Sequence, residues 1–365
     1  MSVFVEIHAI HSVPPSNLNR DDNGSPKTAF FGGAKRHRVS SQSWKRAVRQ
    51  HFAEHNEGVN LGFRTRNVAE MVANAVLAKS PEMAKEDALK AMVSILEELK
   101  ILSKKKDEEL KTEALFLISE RQVEALADII TTIDDPKLRV KEAKKSLLVQ
   151  NSLDLALFGR MVASSTDLNV DAASQFAHAI STHEVASEFD FFTAVDDATS
   201  EDHAGAGMMG DVEFNSSTLY RYAVVNATAL AAQFGDSGEL VTEGIARFIE
   251  SFVRAIPSGK QNTFAARTLP EAVMVVVRED QPTSLVNAFE KPVSASDEGY
   301  ALSSVKRLVE ATQRVAEAYE VEGTVARYGT IASSEMAELS EVSELGTLKE
   351  TINRAMAYVN EKEGR

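Results

Sequence analysis

The chain has 365 residues, a formal net charge of -14 from 40 basic and 54 acidic side chains, and no cysteine. Zero cysteine excludes disulfides, thiolate nucleophiles and cysteine zinc sites, and the net acidity argues against indiscriminate attraction to DNA or membranes, so any anion site has to be local and shaped. With 44% apolar residues the chain can bury a large core as one elaborated domain or two to three smaller ones. No run approaches the ~18 apolar residues of a membrane span, and Glu6 and His8 fall where a signal peptide needs an apolar stretch; the expectation is a cytoplasmic protein without a membrane partner.

The first residues alternate, with Val3, Val5, Ile7 and Ala9 on one face and Phe4, Glu6, His8 and Ile10 on the other, which predicts a strand. From His11 to Arg38 the density of Pro, Gly and Asn predicts a long loop with a task of its own. Ser40 or Ser41 then supplies an N-cap for a helix to about Glu54. From Arg64 to about Ser164 the pattern is almost wholly helical, with start signals at Ser80-Pro81, at Ser119 with Gln122 three residues on, and at Asp135-Pro136. Strands return at Phe189 to Asp197, Glu213 to Ala227 and Ala272 to Asp280, with an amphipathic helix, Thr242 to Ala255, between the last two. Ser303 to Arg365 reads as helical. Without the helical insertion the order is βαββαβ, that of ferredoxin-like and RRM-like folds.

The cations are not spread evenly. Asn23 to Ala53 is 31 residues long and holds Lys27, Lys35, Arg36, Arg38, Lys45, Arg46 and Arg49 with no Asp or Glu. Projected at about 100° per residue, Gln42, Lys45, Arg46 and Arg49 share one side of the helix, while Trp44, Ala47, Val48 and Phe52 occupy the other. A capped helix N-terminus beside a cationic face suits phosphate, because free N–H groups and the helix dipole add to the side-chain charges. A second cationic helix follows Asp135, with Lys137, Arg139, Lys141, Lys144 and Lys145; a solvated face and a second, nonspecific nucleic-acid surface explain it equally.

Other signals carry less. GAGMMG (Gly205 to Gly210) matches the dinucleotide fingerprint but lacks a strand before it and a helix after it, and reads better as a hairpin tip exposing Met208 and Met209. His178 and His183 are off metal-pair spacing and read as structural; Asp21-Asp22 and Asp196-Asp197 read as turn formers. Neither a metal nor a cofactor is expected.

LNRDD (Leu18 to Asp22), Lys27 and FFGGAKRHRVSSQSWKRAVR (Phe30 to Arg49) closely resemble the start of the CasC family, the backbone subunit of the type I-E CRISPR Cascade surveillance complex. FGRM (Phe158 to Met161), HAISTHEVASEFDFFTAVDD (His178 to Asp197), YRYAVVN (Tyr220 to Asn226), GKQNTFAA (Gly259 to Ala266) and NAFEKPV (Asn287 to Val293) extend the resemblance in order. It implies an α+β fold: an RRM-like palm (1–57, 181–192 and 222–365), helical fingers (58–180) and a β-hairpin thumb (193–221) with Met208 and Met209 near its tip. It implies that copies stack head to tail along one CRISPR RNA, with other Cascade subunits and target DNA as further partners. By position, Asn19, Arg20, Lys27, Ser40, Gln42, Lys45, Arg46 and Arg49 would hold the RNA backbone, joined by Arg160, Met161, Thr166, Lys260 and Gln261; the helix from Lys137 matches a finger surface that meets DNA.

The function expected is therefore sequence-independent, non-catalytic binding of guide RNA through phosphates and riboses, which leaves the bases free to pair. The alternative is an RNA endonuclease on the same fold, with His37 or Asp21 as acid or base.

Overall fold

The computed structural model describes residues 2–55, 61–105, 110–149, 151–194, 208–234 and 238–364. The strands are β1 (Phe4–Ser16), β2 (Thr28–Phe31), β3 (Ala34–Val39), β4 (Gly62–Thr65), β5 (Phe116–Ser119), β6 (Ser174–Phe176), β7 (Ala179–Ser181), β8 (Glu188–Ala194), β9 (Met208–Asn226), β10 (Ala272–Arg278), β11 (Val325–Ile331) and β12 (Glu344–Leu345). The helices are α1 (Ser41–Glu54), α2 (Val68–Lys79), α3 (Lys85–Glu98), α4 (Glu120–Thr132), α5 (Pro136–Val149), α6 (Leu153–Phe158), α7 (Ala227–Ala231), α8 (Gly238–Arg254), α9 (Gln261–Phe264), α10 (Ala301–Tyr319) and α11 (Leu348–Glu363). The fold is α+β. It divides into one unit of Met1–His51, Gln175–Ala227 and Ile245–Arg365, and a second of Phe52–Ser174 and Thr228–Gly244.

The first unit is built on a large sheet in the order β12-β11-β10-β1-β9-β7-β3-β2, with β6 and β8 also pairing β9. Its neighbours are antiparallel except β11 and β12. β1 lies at the centre with Val5, Ile7, Ala9 and Ile10 fully buried, and Glu6, His8, His11 and Ser16 are buried too. Burial of a carboxylate requires partners. Glu6 has them in Arg278 Nε at 2.6 Å and the Tyr222 hydroxyl at 2.7 Å. Tyr220, Phe289, Met274 and Leu308 fill one core, and Trp44, Val39, Leu18 and Leu219 another.

The second unit packs α2 to α5 around Val72, Met92, Ile95, Leu126 and Ile130. The capping box at Ser119 and Gln122 forms as its spacing predicts, and Asp135 Oδ1 accepts from the Lys137 N–H at 2.8 Å ahead of Pro136 at the first helical position.

Three expectations are corrected. The stretch after His11 is not a loop throughout: β1 continues to Ser16, and β2 and β3 form a hairpin whose two-residue turn is Gly32-Gly33, with φ of +58° and +77°. Two positive φ values are the signature of a type I′ turn, which Gly-Gly allows at no steric cost. Ser80-Pro81 does not start a helix; the Met83 N–H turns back to the Ser80 carbonyl at 3.1 Å and α3 begins at Lys85. Ser303 to Arg365 is not all helix, because β11 intervenes and pairs along β10. The strands β4 and β5 of the second unit and the short β7 are further additions to the predicted elements.

Candidate nucleic-acid interface

The segment after β1 is held in one shape by its own polar groups. Asp21 Oδ1 accepts from the N–H groups of Asn23 (2.9 Å) and Ser25 (3.0 Å), and Asn17 Nδ2 donates to the carbonyls of Gly24 and Glu213, both at 2.9 Å. Asn19 ties this turn to α1: its Oδ1 accepts from the Ser40 N–H at 2.9 Å, and its carbonyl accepts from the Lys27 N–H at 2.9 Å. Ser40 Oγ accepts from the Ser43 N–H at 3.3 Å and caps the helix. The third wall is the turn Pro257–Lys260. A Cβ on Gly259 would lie 2.2 Å from the Leu18 carbonyl oxygen, so only glycine permits this approach.

These three pieces enclose a groove of about 450 Å³, with Asn19, Arg20, Arg46, Gln50 and Lys260 among its lining. Its three cations face a single acid, Asp21, already engaged in its turn. The sequence separation of Arg20, Arg46 and Lys260 is large; the fold brings them together.

The rear of α1 is clamped. Trp44 is buried, and the Arg221 guanidinium lies 3.8 Å from the Trp44 ring centre and 4.5 Å from that of Phe252. Arg221 donates to His11 Nδ1 at 2.8 Å and to the Phe252 carbonyl, while His11 Nε2 reaches Thr268 Oγ1 at 2.9 Å. Burial pushes Arg221 down to about 9 and, with Arg221 beside it, His11 down to about 3, so His11 remains a neutral acceptor.

Of the other predicted residues, Gln42 is exposed on α1 and Lys45 and Arg49 are half-buried there. Lys27 is half-buried beside the cap, and Gln261 Nε2 donates to the Pro257 carbonyl at 3.1 Å. Met161 is 82% exposed and Thr166 exposed, both in the second unit. Arg160, by contrast, is buried. Its guanidinium donates to the carbonyls of Leu168 (3.0 Å) and Leu117 (3.1 Å) and lies 4.5 Å from the Phe116 ring centre, which makes it an internal strut of that unit. Arg36, one of the seven cations of the basic stretch, is likewise fully buried: its Nη groups donate to the carbonyls of Ser181, Phe289 and Glu290, and Nε has no partner among the described residues.

On α5, Arg139 donates to carbonyls at the end of α4, Lys144 pairs with Asp167, and Lys145 pairs with Glu142 at 2.8 Å. Lys137 and Lys141 are exposed and have no ion-pair partner among the described residues. Met208 and Met209, 58% and 66% exposed, begin β9 and pair with Ala194 and Thr193; Gly205 to Gly207 and Asp196-Asp197 lie outside the described residues.

His37 is fully buried, its Nδ1 is 2.7 Å from Ser217 Oγ, and burial pushes it down to about 4; Asp21 is a turn former. Among the described residues no group of His, Asp or Glu could hold a metal ion, and no helix is long and apolar enough to cross a membrane. Sequence reasoning missed His178. Its ring is exposed, and Nδ1 accepts from the Ser41 N–H at 3.2 Å and faces the Arg38 guanidinium at 3.4 Å. The signal was its place in the motif that opens HAISTHEV, ahead of β7.

A groove lined by three cations and one acid, along the side of a helix, is suited to an anion. The chain belongs to the CT1975-like protein family of Cas proteins, whose family model matches residues 5–356. A chain of a solved "CRISPR RNA-guided surveillance complex, pre-nicking" is 33% identical, with a TM-score of 0.82, covering 96% of this chain and 100% of that one. A chain of a second "CRISPR RNA-guided surveillance complex" is 31% identical, with a TM-score of 0.64, covering 98% and 99%. No curated protein matches the sequence.

Proposed function

We propose that the protein is the repeated backbone subunit of a type I-E Cascade-type complex, of the CasC kind, and that it binds CRISPR RNA without reading its sequence. The groove carries this reading: Arg20, Arg46 and Lys260 line it together along the Ser43–Gln50 side of α1, a combination suited to sugar-phosphate and not to base edges. The surveillance complexes to which the chain is similar are RNA-guided, which agrees with the groove's chemistry. The neighbours β10-β1-β9-β7, all antiparallel, with α1 and α8 in the connections, support an RRM-like palm. The second unit supplies the fingers, and β8 with the outer part of β9 the thumb. Copies join head to tail into an open helical array that other subunits cap and that presents the guide to target DNA, with Lys137 and Lys141 as the DNA-contact candidates that are exposed and have no ion-pair partner among the described residues. The role is non-catalytic.

The test is charge reversal at Arg20 and Arg46 together. Both side chains are exposed, so the double variant keeps its circular dichroism and unfolding midpoint while RNA binding is lost. For the parent protein, 4 to 5 phosphates held per subunit correspond to a slope of log K against log salt of about -3. Undiminished RNA binding by the folded double variant overturns the proposal.

A further inference from the structure

His178 is the exposed titratable side chain at the interface that the foregoing reading leaves without a role. Its surroundings fix its tautomer. The Ser41 N–H, 3.2 Å away, and the Arg38 guanidinium, 3.4 Å away, both point donors at Nδ1, so Nδ1 is the lone-pair nitrogen and the ring hydrogen sits on Nε2. The site is contiguous with the groove: Ser41 follows Ser40, whose N–H is bound by Asn19, and the Arg38 N–H donates to the Lys27 carbonyl at 2.9 Å.

The geometry points to His178 as a further RNA contact, a neutral imidazole that donates from Nε2 to a backbone phosphate oxygen on the side of the ring away from Arg38. The inference rests on the RNA-binding reading above and adds to it a residue, a protonation state and an atom. Desolvation and the nearby charges of Arg38 and Lys27 hold the ring below its ordinary value, in keeping with the two donors aimed at Nδ1. The groups facing it are Arg38 from β3, Lys27 from the preceding turn and the first N–H of α1. A strand drawn along the cations meets, on the far edge of the ring, its one remaining polar atom, which can only donate.

Two variants separate this role from a purely structural one. In His178→Asn the amide oxygen stands where Nδ1 was and still accepts from Ser41, but the Nε2 donor is gone. In His178→Gln the amide nitrogen stands near Nε2 and keeps the donor. The expected result is that H178N folds with an unchanged midpoint and binds RNA about tenfold more weakly, whereas H178Q binds within about twofold of the parent. Loss of a neutral contact shifts the salt line without changing its slope; Arg38→Gln reduces the slope by about 0.7. The loss falls equally on single-stranded RNA and DNA of one sequence, since both carry phosphate. Parental affinity in H178N, rescue by Asn in place of Gln, or a loss confined to RNA overturns the inference. If the Arg20 and Arg46 double variant binds normally, the failure lies instead with the RNA-binding reading.

Discussion

Arg221 carries a charge to a place where its partners are two aromatic rings, a neutral imidazole and a carbonyl. A buried cation with no carboxylate is costly, and here the cost is offset by two Nη donors and two ring faces, while Nε has no partner among the described residues. Its return is position: it fixes Trp44, and with Trp44 the face of α1 that shows Arg46 to the groove. The neutrality of His11 is part of that arrangement, and it is shared by His8, pushed down to about 3 by burial, Arg278 and Arg327, and by His37, pushed down to about 4 by burial and His183. These three take up a proton near 6.5 when unfolded but not while folded. Below pH 6.5 the unfolded state therefore binds more protons, and stability falls as pH drops toward about 4, by about 1.4 kcal/mol per unit for each histidine. Glu6, raised chiefly by desolvation, holds its proton more readily when folded and opposes the trend over its own window. The expected net result is a urea midpoint clearly lower at pH 5 than at pH 7.5; equal or higher stability at pH 5 would contradict this account of the core histidines.

At the scale of elements, the groove depends on one close approach. In Gly259→Ala the new methyl meets the Leu18 carbonyl, a rigid backbone atom, so the Pro257–Lys260 turn and the Asn19–Arg20 turn must move apart. The variant is predicted to lose RNA affinity by about tenfold while the unfolding midpoint drops only modestly, read by fluorescence anisotropy beside a thermal melt. Equal affinity in a folded variant would show that the two turns do not act together. The elements themselves were unevenly legible. β1, α1, α4, α5 and β10 announce themselves through alternation, caps and apolar runs, which are local signals. The β2–β3 hairpin was hidden because Lys35 and Arg38 interrupt an apolar reading of β3, although Gly32-Gly33 is a hairpin signal in its own right. β11 was hidden because VARYGTI is half-buried at most positions and forms a strand by pairing along β10, far away in sequence, and with β12.

At the scale of the whole molecule, a chain of net charge -14 keeps its groove cationic by gathering basic residues near one end and adding Lys260 from far along the sequence. The cation cluster itself was legible from composition. Which cations face the groove was not: Arg36 and Arg38 stand two apart on one strand, the same spacing as residues that share a face, yet Arg36 is buried with its Nη groups on internal carbonyls while Arg38 meets His178. Side-chain fate there depends on carbonyls of Phe289 and Glu290, which no local pattern reveals. The central claim is that the turn at Asn19 and Arg20, the exposed face of α1 and the turn at Lys260 grip one RNA backbone. Photo-crosslinking of the purified protein to RNA of several unrelated sequences, with the attached peptides identified by mass spectrometry, tests it most directly. The account predicts crosslinks in peptides spanning residues 17–30, 38–50 and 257–264 for every sequence, and crosslinks that avoid these three segments or change with the RNA sequence would contradict it.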